Sequence, residues 1–379
     1  MFKYVFKRTW LKLLVGAADV FGSIIFAPIF FLRRVLAGKK PVKKIIVLRL
    51  DQTGDCVQAI PFFSELRKQY PEAFITAAVL KGNAFLFKEN SGINSVMAAD
   101  SSWFLNDKNA GLKWAAGLFS EIRSGNYDLG FDLRGDIRNI ALLFFSGVKK
   151  IKGYGCAGGG FMLDEKAIYD REMHEMDKNL RLLGKPALEP PIRLSFPESG
   201  MSEAQRLINE HKAAGKFTVV MHPFAGTPAK QWGLEKFKEL CARIAALKGD
   251  AVIFITGGPQ DAQAAEGFVT PGGSVFNMTG VKFATTISLI KKGDLFIGND
   301  SSLQYFAAYQ GVKTCVIYGH TSNNARWAPK VETEKIVKLS KPVGCGPCES
   351  RSCARGKHEC MDIITVDDVF DAVKAWIPG

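Results

Sequence analysis

Four stretches of this 379-residue chain set polar side chains where an apolar strand gives way to an apolar helix. The first is IIVLRLDQTGDCVQAIPFFSEL, residues 45–66. Ile45–Leu50 reads as a buried strand of a parallel sheet. Val57, Ile60, Phe63 and Leu66 read as a helix face, and Asp51, Gly54 and Asp55 lie between. A carboxylate in such a turn can accept a proton or cap the helix. In HPFAGTPAKQW, residues 222–232, Gly226 frees the backbone, Thr227 offers a hydroxyl and Lys230 a mobile positive charge, which suits a phosphate. TGGPQD, residues 256–261, is a tight turn ending in Asp261, an acid able to hydrogen-bond a ribose. GNDSSLQYFAA, residues 298–308, puts Asn299, Asp300, Ser301 and Ser302 at a helix start, where backbone N–H groups attract a diphosphate. Singly these are ordinary: N-caps, a solvated lysine, a turn. Their recurrence at successive strand ends points to a nucleotide. The chain has no G-x-G-x-x-G after its first strand, no Walker lysine motif and no Asp-x-Asp pair. Charge compensation on a diphosphate therefore falls to Lys230 and helix N-termini.

The elements that must position these loops alternate regularly. FITAAVL (74–80), YDLGFDL (127–133) and KKIKGY (149–154) read as strands, with helices over 108–123 and 137–145. After the proline-rich GKPALEPPIRLSFPESG, residues 184–200, the plan repeats. Strands read over 217–222, 251–258, 294–300 and 312–319, with helices over 234–247 and 284–292. Strands separated by helices imply βαβ crossovers and parallel sheets. The expected fold class is α/β: two Rossmann-like doubly wound domains facing a cleft, preceded by a membrane-associating helical arm. The expected divisions are an arm (1–42), a first domain (43–185), a linker (186–200), a second domain (201–340) and a Cys-rich tail with a terminal helix (341–379).

The formal charge of +13 is concentrated in the arm, where residues 1–44 hold ten Lys or Arg and one acid, Asp19. That location argues for an anionic membrane surface and against nucleic acid. LLVGAADVFGSIIFAPIFFL, residues 13–32, is long enough to span a bilayer. Asp19, Pro28 and positive charge on both flanks favour an interfacial or re-entrant anchor over a single span or a helix packed on the protein. Cys56, Cys156, Cys241 and Cys315 are scattered, as reduced thiols usually are. Cys345, Cys348, Cys353 and Cys360 are clustered near His358, compatible with a structural tetrahedral zinc, with reduced thiols or with a stress-formed disulfide.

IIVLRLDQTGDCVQAIP, DLRGDIRN, HPFAGTPAKQW, FITGGPQD, GNDSSLQYFAA and the Cys-rich tail, in that order, resemble glycosyltransferase family 9, the bacterial heptosyltransferases of lipopolysaccharide core assembly. The resemblance runs from about residue 43 to residue 370. It implies a GT-B architecture and inverting transfer of heptose or a related sugar from an ADP-sugar donor. The acceptor would be an anionic glycolipid of lipopolysaccharide core or lipid A type, at the cytoplasmic face of the inner membrane. No cofactor is implied for catalysis. By the same resemblance Asp55 is the general base and Lys230 stabilises the departing diphosphate. Thr227, Asp261, Asp300, Ser301, Ser302 and Tyr305 bind the donor. Asp51 is structural or orients the acceptor, and Arg134 and Arg138 face the cleft from the acceptor domain, their alternative being a surface pairing with Asp132 or Asp136. Two positions depart from the family's loop: Ser302 stands for glycine and Tyr305 for histidine, its hydroxyl taking the place of the imidazole on a phosphate. The alternatives are a non-catalytic relative that binds a nucleotide sugar or glycolipid, a family transferase using another sugar, and an unrelated enzyme of two Rossmann-like halves such as a nucleotide-sugar epimerase.

Overall fold

The computed structural model describes residues 4, 6, 8–37 (backbone alone for 29–37), 41–101, 103, 113–269, 272–321, 323–353 and 355–378. It divides into two compact units, Met1–Leu188 and Glu189–Gly379.

The first unit begins with helix α1, Thr9–Ala37, and continues into β1, Lys44–Arg49. Ile45, Ile46, Val47 and Leu48 have no exposed surface, which is why this strand shows no polar alternation: both faces of its sheet are covered. Helix α2, Thr53–Gln69, leaves the sheet directly after the DQTGD turn and buries Cys56, Val57, Phe62, Phe63 and Leu66. The sheet adds β2 (Phe74–Leu80), β3 (Ser95–Ala99), β4 (Leu129–Asp132), β5 (Lys150–Gly153) and β6 (Glu165–Lys166). All pairings are parallel and the order is β3-β2-β1-β4-β5-β6.

The second unit repeats this order. Its strands are β7 (Thr218–His222), β8 (Val252–Ile255), β9 (Val275–Asn277), β10 (Leu295–Asn299), β11 (Lys313–Ile317) and β12 (Ile336–Leu339). They run β12-β11-β10-β7-β8-β9, again all parallel. In each unit the winding reverses at one strand pair, β1 with β4 and β7 with β10, and the loops leaving those strand ends diverge to open a crevice. DQTGD and DLRGD leave the first pair, and HPFAGTPAKQW and GNDSS leave the second.

Several elements differ from the sequence pattern. The strands β3, β6, β9 and β12 are short edge strands, half-buried or, in β6, exposed, and carry too little apolar signal. The expected helix over 108–123 is seen as Lys113–Gly125, and residues 108–112 lie outside the described residues. The proline-rich stretch is not a free linker. From Ile192, whose N–H donates to the Lys330 carbonyl at 2.9 Å, it packs on the second unit, with Phe196 against Phe306 at 4.6 Å between ring centroids. The tail is likewise part of that unit: Val366, Val369 and Val373 of the helix Val366–Val373 join the core beside Phe237, Leu240 and Ile244.

Candidate active site

At the β1/β4 reversal the chain buries an ionic cluster. Arg49, the last residue of β1, points into the turn that follows it. Its Nε lies 3.5 Å from Asp51 Oδ2, its Nη2 donates to Asp55 Oδ1 at 3.2 Å, and its Nη1 donates to the Leu133 carbonyl at 3.1 Å. Arg134, from the loop after β4, closes the cluster through an ion pair with Asp51. The two carboxylates of the DQTGD turn are thus unequal. Asp51 has no exposed side-chain surface, whereas Asp55 keeps 23% of its side chain exposed. Of the two, Asp55 is the one open to solvent, and Asp51 is sealed against Arg134. Burial pushes Asp55 up to about 6 against the pull of Arg49, with Asp51 and Glu175 reinforcing the rise. Asp55 does not cap α2, because the N-cap is Gln52 and Asp55 lies in the first turn. Arg138 makes a bidentate pair with Asp136, Nε–Oδ1 2.8 Å and Nη2–Oδ2 2.9 Å, and Asp136 caps the helix Ile137–Phe145. That pair holds the guanidinium in one orientation with 45% of its side chain exposed.

At the β7/β10 reversal the Lys230 ammonium sits 2.6 Å from Asp300 Oδ2. Gln304 holds the other Asp300 oxygen at 2.9 Å and is itself bonded by the Tyr318 hydroxyl. Thr227 Oγ1 and Ser301 Oγ are buried without a hydrogen-bond partner. A buried hydroxyl left unsatisfied is costly, so two of them beside a lysine mark a place shaped for an oxygen-rich ligand. The loop itself is fixed by Asn299, fully buried at the end of β10. It accepts the Trp232 N–H at 3.1 Å and donates to the Pro223 carbonyl at 2.8 Å, tying both ends of the Lys230 loop to the neighbouring strand. Asn299→Ala leaves both backbone groups unpaired. It is expected to cost about 2 kcal/mol of this unit's stability and to raise the donor KM more than it lowers kcat, as melting curves and initial rates will show. His222, at the end of β7, donates from Nδ1 to the Thr256 carbonyl at 2.9 Å, and burial holds it below the usual imidazole range.

One expectation needs correction. Tyr305 cannot stand in for a phosphate-binding imidazole: its ring is buried and its hydroxyl donates to the Trp327 carbonyl at 2.8 Å. Asp261 uses Oδ2 to close its own turn, accepting from Gly258 N at 2.8 Å and Gln260 Nε2 at 3.1 Å, and Oδ1 takes no part in that closure. The four tail cysteines lie near enough for Cys345, Cys348 and Cys353 to act electrostatically on Cys360, while among the described residues no three His, Cys, Asp or Glu gather as a metal-holding set and no disulfide is formed. The tail also braces the loops that leave β7 and β11. Arg351 O accepts from Ala229 N at 3.3 Å, and Cys348 N donates to His320 O at 3.2 Å.

Arg49 was not among the expected site residues, although a lone arginine inside the run IIVLRL was its signal. Nor was the helix Glu175–Arg181 expected, whose buried Lys178–Glu175 pair (2.7 Å) puts the Glu175 charge behind the Asp55 cluster. Its signal was the dense polar stretch HEMDKN.

The sequence profile of glycosyltransferase family 9 (heptosyltransferase) matches residues 115–358. The chain belongs to glycosyltransferase family 9. It is 26% identical over 345 residues to lipopolysaccharide heptosyltransferase 3 of Escherichia coli K12, covering 86% of this chain and 95% of that one. Among solved structures it resembles E. coli ADP-heptose lipopolysaccharide heptosyltransferase II, with TM-score 0.71 and 18% identity, over 88% of this chain and 98% of the other. It also resembles E. coli heptosyltransferase WaaC solved with ADP-2-deoxy-2-fluoro heptose, with TM-score 0.64 and 14% identity, over 88% and 99%. The fold of this family 9 chain is accordingly of GT-B type, a pair of Rossmann-like units.

Proposed function

We propose that this family 9 chain is an inverting transferase that moves heptose, or a closely related sugar, from an ADP-sugar to an anionic lipopolysaccharide-core or lipid A-type acceptor at the membrane surface. The observation that carries the reading is the Lys230–Asp300 pair beside two unpartnered buried hydroxyls at the reversal of the second sheet. Lys230 neutralises the charge that develops on the departing diphosphate, and Thr227 and Ser301 donate to its oxygens. In the first unit Asp55 takes the proton of the attacking hydroxyl, and Arg134 and Arg138 hold anionic groups of the acceptor. The donor class is supported by the ADP-sugar bound to the related E. coli enzyme and by the lipopolysaccharide role of the sequence relative.

The test is transfer from ADP-heptose to a Kdo-lipid A acceptor, with a panel of other ADP- and UDP-sugars run beside it. Heptose transfer supports the reading, transfer of another sugar redefines the donor, and ADP binding without turnover on any donor points to the binding-only relative. With Lys230 neutralising the diphosphate, transfer is expected to proceed at an unchanged rate in EDTA. A rate restored only by added Mg²⁺ would overturn that assignment of the charge to Lys230.

A further inference from the structure

Helix α1 carries its one acid, Asp19, in the middle of an apolar run, and the structure shows what that acid does. The Asp19 carboxylate is buried, accepting the Gly159 N–H at 2.8 Å through Oδ1 and the Tyr4 hydroxyl at 2.8 Å through Oδ2. Lys166 adds a positive charge beside it: a Cβ built on Gly160 would meet Lys166 Nζ at 2.6 Å and Asp19 Oδ2 at 3.4 Å. The glycine-rich loop 155–160 thus offers backbone donors, two of its glycines at φ +94° and +76°, and the helix delivers an anion to them. The same helix face is pressed onto the first unit elsewhere. A Cβ on Gly22 would lie 2.6 Å from the Phe161 ring, and Phe26 packs against Phe144 and Phe161 at 5.8 and 5.5 Å between centroids.

Opposite this docked face, at helical spacing, lie Trp10, Leu13, Leu14, Val20, Phe21, Ile24 and Ile25, each more than half exposed and Leu13 71% exposed. Such a continuous stripe of large apolar side chains needs a cover. A span through the bilayer would require Asp19 to leave its partners and enter hydrocarbon, and would surround both faces of α1 with lipid. The docked face is already occupied by protein.

We propose that α1 lies flat in the interface of an anionic bilayer, latched to the first unit through Asp19, with the stripe from Trp10 to Ile25 facing the lipid. The occupant is argued from charge: ten basic residues and one buried acid within residues 1–44 make an arm that an anionic leaflet attracts and a second copy of the same arm repels. The latch fixes how the unit carrying Asp55, Arg134 and Arg138 is presented to a lipid-borne acceptor. This deepens the membrane-surface part of the proposed function and rests on it.

The experiment uses the full-length chain with vesicles of phosphatidylethanolamine and phosphatidylglycerol, and vesicles of phosphatidylcholine alone. A fluorescent amino acid is placed singly at Trp10, Ala17, Phe21 or Ile24, and its depth is read by spin-labelled lipids. Uniform quenching by shallow labels at all four positions, stronger on the anionic vesicles, is the expected result. Quenching by deep labels at Ala17 and Phe21 with shallow quenching at Trp10 is the signature of a span and would overturn the proposal. A blue-shifted probe in a dimeric protein without vesicles would overturn it in favour of self-association. Phe21→Glu with Ile24→Glu, at two side chains each 66% exposed, is expected to cut the vesicle-bound fraction about tenfold or more while the melting temperature is kept. Asp19→Ala should retain binding but expose a probe at Val15 that the wild-type latch shields. Loss of vesicle binding is read separately from turnover on a detergent-dispersed acceptor. A protein that transfers sugar but ignores vesicles sinks this inference and leaves the transferase standing.

Discussion

Asp55→Asn is expected to lower kcat for sugar transfer by about 10²–10⁴-fold while leaving ADP affinity nearly unchanged. The substitution is isosteric and keeps an oxygen for the Arg49 Nη2 contact, so the geometry of the DQTGD turn survives. Arg49 itself stays compensated, because Asp51 lies 3.5 Å from its Nε and the Leu133 carbonyl accepts from Nη1. What Asn cannot do is take a proton. The pH dependence supplies an independent check. Burial holds Asp55 at about 6, up from 3.8, so the competent carboxylate form grows as pH rises through about 6 and the rate should rise with it to a plateau. The stability sign is the opposite. A carboxyl whose pKa is raised on folding contributes stability fully below its unfolded value and loses it as pH climbs through the folded value. Asp55→Asn should therefore melt higher than wild type above about pH 6, the region where it is inactive. An enzyme that is less active and also less stable there would mean that the substitution had damaged the turn. Unchanged turnover would remove Asp55 as the base.

The fold could be read from the sequence to the extent that physics is local. Buried parallel strands announce themselves as apolar runs, and Ile45–Leu48 and Leu295–Ile297 are such runs, buried throughout. The loops that follow them stood out because polar residues at a strand-to-helix turn need a reason. Their meeting at the two sheet reversals depends on strand order, which the loops alone do not encode. Pairings were the least legible. Nothing in DQTGD says that Asp51 is sealed by Arg134 from 83 positions away while Asp55 stays accessible. Tyr305 looked like a substitute for an imidazole because the motif places it beside the phosphate loop; its hydroxyl is claimed by a carbonyl 22 residues onward. Asp19 weakened the reading of a membrane span for a sound reason, the cost of an acid in lipid. Its true partners, Gly159 N and the Tyr4 hydroxyl, lie on a loop and a terminus that no periodicity connects.

Lys230→Ala is expected to reduce kcat/KM for the donor by about 10²–10³-fold, the scale of losing one pre-placed charge at a site where charge develops. The second half of the expectation concerns Asp300. Its side chain is only 7% exposed and is fixed from behind by Gln304 and Tyr318, so it cannot turn away when its cation is lost. In Lys230→Ala a buried carboxylate that has lost its ammonium then stands where the diphosphate is expected to bind, and part of the measured loss is repulsion from Asp300. Adding Asp300→Asn to Lys230→Ala removes that repulsion while the amide keeps its hydrogen bonding to Gln304. The double variant should therefore bind ADP more tightly than Lys230→Ala alone, with a coupling of about 1–3 kcal/mol in the double-mutant cycle. Lys230→Arg retains charge but not the compact ammonium, and should fall between wild type and Lys230→Ala. ADP titration calorimetry on the four proteins of the cycle measures the coupling directly. Strictly additive effects would mean that the 2.6 Å pair is a surface ornament and that the diphosphate charge is met elsewhere. Rescue of binding without rescue of kcat would place Lys230 where the reading puts it, on the leaving group as the anomeric bond opens.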